Sequence, residues 1–229
     1  MNVMVTSQAL RFGGLLALGL FMTACDGGVE IEFAQPFPTK GADIAVFPAR
    51  HRGVYTAADS SKSLCIGATA VWRQELHSFI FSRYQLDSLH HRLMADSTYQ
   101  ENGHLHYLRL VSRDSVRDSW LWNDTIFNLA GNEAGMLRRF QGRYYLNTPD
   151  ETGTKWWVQR LEISGHHLRW QTLATDTLRL LALDTAIVRH HREKGISYYR
   201  LTPAPGPQTR HLGHCTELWE TAGEYGRRR

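Results

Sequence analysis

Leu137-Arg138-Arg139-Phe140-Gln141-Gly142-Arg143-Tyr144-Tyr145-Leu146-Asn147 is the stretch on which the fold turns. Read as one strand, it puts Phe140, Gly142, Tyr144 and Leu146 on one face and Arg139, Gln141, Arg143 and Asn147 on the other, since strand side chains alternate. One face suits a core and the other suits water. The same character recurs along the chain as short runs rich in Tyr, Trp, Val, Ile and Thr between polar turns. Gly53-Val54-Tyr55, Leu64 to Trp72, His104 to Val111, Ser115 to Trp122, Trp156 to Ile163, Leu168 to Leu173 and Ile196 to Leu201 all read as strands. Asn102-Gly103 and Glu193-Lys194-Gly195 supply hairpin turns, because Asn-Gly and Gly tolerate the positive φ that tight hairpins require. Helical spacing is confined to Leu86 to Met94 and to a short piece through Leu178, Leu181 and Ala182, which Thr175 or Asp176 would cap. The expected fold is mainly β: a single antiparallel β-meander domain over residues 47–220, sandwich or barrel-like, with one or two short helices. His211 to Trp219 has no assignable period, and residues 221–229 read as a basic tail.

The N-terminus has a different pattern. Gly13 to Ala24 is an apolar run preceded by Arg11, too short for the ~20 apolar residues of a membrane-spanning helix but suited to a cleavable export signal. It ends in Met22-Thr23-Ala24-Cys25, which resembles the lipobox of bacterial lipoproteins, and that resemblance implies that Cys25 carries a lipid and becomes the first mature residue. Residues 1–24 are then a signal peptide. Residues 25–46, with Asp26, Glu30, Glu32, Pro36, Pro38 and Gly41, read as a flexible acidic tether. The expected location is the bacterial cell envelope, with the membrane as partner through Cys25.

Further in, Asp114-Ser115-Val116, Asp124-Thr125-Ile126-Phe127, the Leu137 to Asn147 stretch and Trp157-Val158 with Leu161 resemble, in their order, uncharacterised small β-rich lipoproteins of Gram-negative bacteria. The resemblance covers roughly residues 47–173 in element order and implies a β domain. No catalytic or binding residue carries over with it.

The chain has a formal net charge of +4 and 12 histidines. A mild basic excess on an exported chain speaks to anionic lipid head groups more than to nucleic acid. No Gly-x-Ser-x-Gly elbow and no phosphate-cradling glycine loop is present, so enzyme activity has little support and no cofactor is implied. His104 and His106, two apart on a strand, present both imidazoles from one face; His211, His214 and Cys215 form a second ligand-like group. These carry the alternative reading, a metal-dependent envelope enzyme or metal-binding protein. The leading reading is a non-enzymatic binding or structural module whose partner is a protein or a small amphiphile. Trp156 and Trp157 must point opposite ways, and Trp156 is the expected exposed aromatic contact. With Cys25 lipidated, Cys65 and Cys215 are left as an even pair in an oxidising compartment, which favours a disulfide worth roughly 4–5 kcal/mol on the chain-entropy model.

Overall fold

The computed structural model describes residues 28–88, 97–131, 134–181, 183–184 and 186–227. The signal segment, Cys25 and most of the expected Leu86 to Met94 helix lie outside them. The strands are β1 (Val29–Phe33), β2 (Gly53–Thr56), β3 (Lys62–Ile66), β4 (Ala70–Ser82), β5 (Thr98–Glu101), β6 (His104–Ser112), β7 (Ser115–Asn128), β8 (Met136–Phe140), β9 (Arg143–Pro149), β10 (Trp156–Ser164), β11 (His167–Leu173), β12 (Val188–Glu193), β13 (Ile196–Leu201) and β14 (Trp219–Arg227). Among the described residues three short α-helices accompany them: α1 (Arg83–Ser88), α2 (Thr177–Leu181) and α3 (Pro207–His214). The fold is mainly β with few short helices, as the strand patterning predicts.

All fourteen strands belong to one open sheet, in which β2, β3, β4, β7, β6 and β5 form one half and β8, β9, β10 and β11 the other. The last strand, β14, lies between β11 and β2 and joins the halves. Pairing is antiparallel except for β1 beside β13, which is parallel. The sheet curls until inward side chains from nine strands meet: Tyr55, Leu64, Tyr144, Leu146, Leu161 and Leu168 are all buried in this first core. Filled by its own side chains, the curl is a scaffold and not a container. A second core lies on the outer face of β9 and β10, where Tyr145 and Val158 pack against β1, β13, α2 and α3.

Local chemistry explains most of the elements. Asn102 and Gly103 turn β5 into β6 with φ of 49° and 81°, and Lys194 and Gly195 do the same for β12 and β13 with 49° and 85°. Asp176 caps α2, its Oδ1 accepting from the Leu178 amide at 2.9 Å.

Four expectations are corrected. The Arg139 to Asn147 stretch is a hairpin and not one strand: Gln141 and Gly142 adopt φ of 50° and 81° and form its turn. With a core on each side, β9 buries Tyr144, Tyr145, Leu146 and Asn147 in succession, so neither of its faces meets water there. The tether of residues 25–46 is largely folded, because Val29, Ile31 and Phe33 alternate into the second core while the buried Glu32 between them pairs with Lys155 at 3.2 Å and Arg200 at 3.5 Å. The expected basic tail is most of β14, and Arg227 donates to the carbonyls of Arg50 and Arg52, both at 2.8 Å. Finally, Cys65 and Cys215 form no disulfide. Cys65 sits in the sheet wall and bonds Gln74 at 3.2 Å, whereas Cys215 follows α3 beside the second core and bonds Glu217 at 3.3 Å. Burial pushes both thiols up, with Glu217 adding to the effect at Cys215.

His51 lies in the turn before β2, its Nδ1 2.7 Å from the Tyr144 hydroxyl. Burial, then Arg50, Arg139 and Arg227, lowers its pKa from 6.5. The unfolded chain therefore binds a proton below about pH 6.5 that the folded chain resists, and stability falls as the solution is acidified. Melting temperatures measured between about pH 7 and pH 5 should fall more steeply for the parent than for His51→Gln. Parallel slopes would remove His51 from the acid response.

Candidate functional site

Beyond Glu75 the edge of β4 leaves β3 behind, and four strands project from the curled body as an arm: the far part of β4, β7, β6 and β5. The long strands β4 and β7 hold it in continuous register, with Leu76 opposite Leu121 and Phe81 opposite Val116. Alternation then sorts the side chains. His77, Phe79, Trp120, Trp122, His104, His106 and Tyr99 share the inner face; Leu76, Ile80, Leu121, Tyr107, Arg109 and Arg117 share the outer one.

Register makes the inner face a set of stacked rows. His77, Trp120, His106 and Tyr99 are successive cross-strand neighbours, with ring centroids 5.3, 4.8 and 4.6 Å apart. In the adjacent row His104 lies 4.8 Å from Trp122. Such cross-strand pairs each contribute roughly 0.2–1 kcal/mol and stiffen the arm.

Under the rows Asp118 is wholly buried. Its Oδ2 accepts from the Tyr99 hydroxyl at 2.6 Å and from His106 Nδ1 at 2.9 Å, and Oδ1 lies 3.1 Å from the same nitrogen. Burial first, and then Asp118, raises the Tyr99 pKa. A buried carboxylate supplied with two donors is a satisfied one, and here it ties β5, β6 and β7 together. The His106 ring lies between Tyr99 and Trp120 and is nearly covered, so this histidine and carboxylate act as a clamp inside the arm.

The residues singled out from sequence fare differently. His104 and His106 do share a face, but Asp118 engages His106. His211 and His214 are both exposed on α3. Among the described residues no group of three or more His, Cys, Asp or Glu side chains is placed to hold a metal ion. Trp156 packs against the second core, and Trp157 is the exposed ring, because the face carrying Trp156 is the one that the second core covers. Asp118 and the outer apolar residues were not recognisable as a site: their association depends on a register that joins distant strands.

A cleft of about 540 Å³ opens on the body, where Arg169 lies 2.8 Å from Glu224 and 4.0 Å from Glu162. Its charges already answer one another. The arm instead leaves Leu76, Ile80, Leu121 and Tyr107 about half exposed on its outer face and Phe79, Leu110 and Trp122 about half exposed on its inner one, and apolar surface on a projection of this kind is the mark of an interaction surface. No protein-family model, curated protein or solved structure matches the chain.

Proposed function

We propose that the chain is a lipid-anchored protein of the bacterial cell envelope, a non-enzymatic binding module whose curled body is the scaffold and whose arm makes the contact. The observation that carries the binding part is the exposed apolar outer face of a projection braced on its inner side by stacked rings and a buried clamp. The filled body favours a partner held on a surface over an amphiphile held inside. Support for the anchor is the lipobox-like Met22 to Cys25. No helix among the described residues is long and apolar enough to cross a membrane.

Two measurements in cells test the two halves of this reading. The parent should pellet with membranes, because two or more acyl chains attach stably, and Cys25→Ser should leave a soluble or uncleaved form. Parent protein in the soluble fraction overturns the anchor. A photo-crosslinking residue at Leu121 should trap a partner that the same residue at the exposed turn position Glu151 does not. Equal, background trapping at both positions overturns the arm as the binding element.

A further inference from the structure

Among the described strand residues, the outer face of the arm carries cations without anions. Arg117 on β7 stands directly opposite Arg109 on β6 and opposite Ile80 on β4. Both arginines are exposed, and neither is ion-paired among the described residues. Like charges directly opposite on a sheet destabilise it, so this pair carries a cost. Around it stand Leu76, Ile80, Leu121 and Tyr107, with Ser78 and Ser119 between them. Among the described strand residues no Asp or Glu shares this face, which also carries Ser82, Leu105 and Ser115. Arg83 and Arg113 stand at the tip, where Asp114 and Asp87 of α1 are also found.

Half-exposed aliphatic and aromatic side chains beside unpaired guanidinium groups have the composition of a surface that rests in the boundary of an anionic bilayer. The apolar groups enter the acyl boundary and the arginines meet phosphates. Chain length points the same way. Cys25 precedes Gly28, the first described residue, by three positions, and Gly28 is already held, its carbonyl accepting from the Ser197 amide at 2.9 Å. Three residues span at most ~10 Å. A lipid on Cys25 would therefore hold the folded body against the bilayer, and some part of its surface must face head groups.

We propose that the outer face of the arm, through Arg109, Arg117, Leu76, Ile80, Tyr107 and Leu121, docks on an anionic lipid bilayer. This inference rests on the anchored-module reading above and names the surface that the arm meets.

The test uses the full lipidated chain reconstituted in vesicles, either of phosphatidylcholine alone or with roughly one-third phosphatidylglycerol. With Cys65 and Cys215 changed to serine, an environment-sensitive dye is placed on Leu121→Cys or, as the opposite-face control, on Leu110→Cys. Co-sedimentation of protein with vesicles reports the anchor, and the dye reports the face. Docking predicts a blue-shifted dye at position 121 in the anionic vesicles only, reversed by high salt, with position 110 remaining in a water-like environment. Arg109→Gln with Arg117→Gln should weaken the docking equilibrium on the order of 30-fold, from about 5-fold per arginine near such a surface. Circular dichroism of that variant shows that the fold is kept, and Leu121→Ser provides a second, charge-neutral variant for vesicle protection of a dye on Tyr107→Cys.

Co-sedimentation with an unshifted dye at position 121 overturns the docking while leaving the anchor in place. Loss of co-sedimentation means the anchor has failed. Equal shifts in both vesicle types overturn the charge pairing, and a shift that follows protein concentration without vesicles assigns the face to a second copy of the chain and overturns the proposal.

Discussion

Replacing Asp118 by alanine should release the arm while the body stays folded. The substitution removes the acceptor for both the Tyr99 hydroxyl and His106 Nδ1 at a wholly buried position, leaving two donors without it in a site closed to water. Breaking a buried, hydrogen-bonded pair of this kind by removing one partner costs about 3–5 kcal/mol. That cost falls on β5, β6 and the far halves of β4 and β7, which share no side chains with the second core. Hydrogen exchange is the suitable readout, because local opening reports each region separately. Amide protection in the arm should fall on the order of 10²–10³-fold, with β9 and β10 little changed. Asp118→Asn, which keeps one acceptor, should lose less. Arm protection unchanged in the alanine variant would show that the stacked rows hold the arm without the clamp.

Phe33→Ala should destabilise the whole domain by about 3–5 kcal/mol, the usual loss for an aromatic residue removed from a packed core. Phe33 is fully buried and lies 5.1 Å from Phe37, which in turn packs 5.0 Å from Tyr145. The cavity would open where β1, β9 and β13 meet, so it would loosen the strand that both cores share. For a domain of this size the melting temperature should fall by about 10 °C. An unchanged melting curve would mean that residues 29–38 behave as a tether after all.

What could be read from sequence was whatever depends on near neighbours. Asn102-Gly103 and Lys194-Gly195 announce hairpins because a positive φ is a local demand, and Asp176 announces a cap because its acceptor reaches the Leu178 amide within the same turn. The shared face of His104 and His106 follows from alternation alone. Features set by distant partners were hidden. Glu32 made β1 look like solvated chain, since nothing nearby shows that Lys155 and Arg200 meet it. Asn147 looked solvent-facing, yet it is buried and its Oδ1 accepts from the Phe37 amide at 2.6 Å. Trp156 and Trp157 were known to diverge, but which ring is covered depends on elements far along the chain. Asp118 has no local sign of its role. It becomes a clamp only when β5 and β6 bring Tyr99 and His106 to it.

The place of β14 bears on the order in which the molecule can be built. The final strand in the chain is an interior strand of the sheet, and its seam with β2 consists of Gly226 opposite Thr56 and Arg227 opposite Tyr55. Until those residues are available, β2 to β7 and β8 to β11 are separate half-sheets, each with an exposed edge. The chain cannot finish folding from its N-terminus forward. Residues 226 and 227 must be present before the seam can close, and closure joins residues more than 150 positions apart, a type of contact that forms slowly. A chain arranged in this way keeps its two half-sheets apart until late in its folding, so the seam is a step at which folding can be delayed.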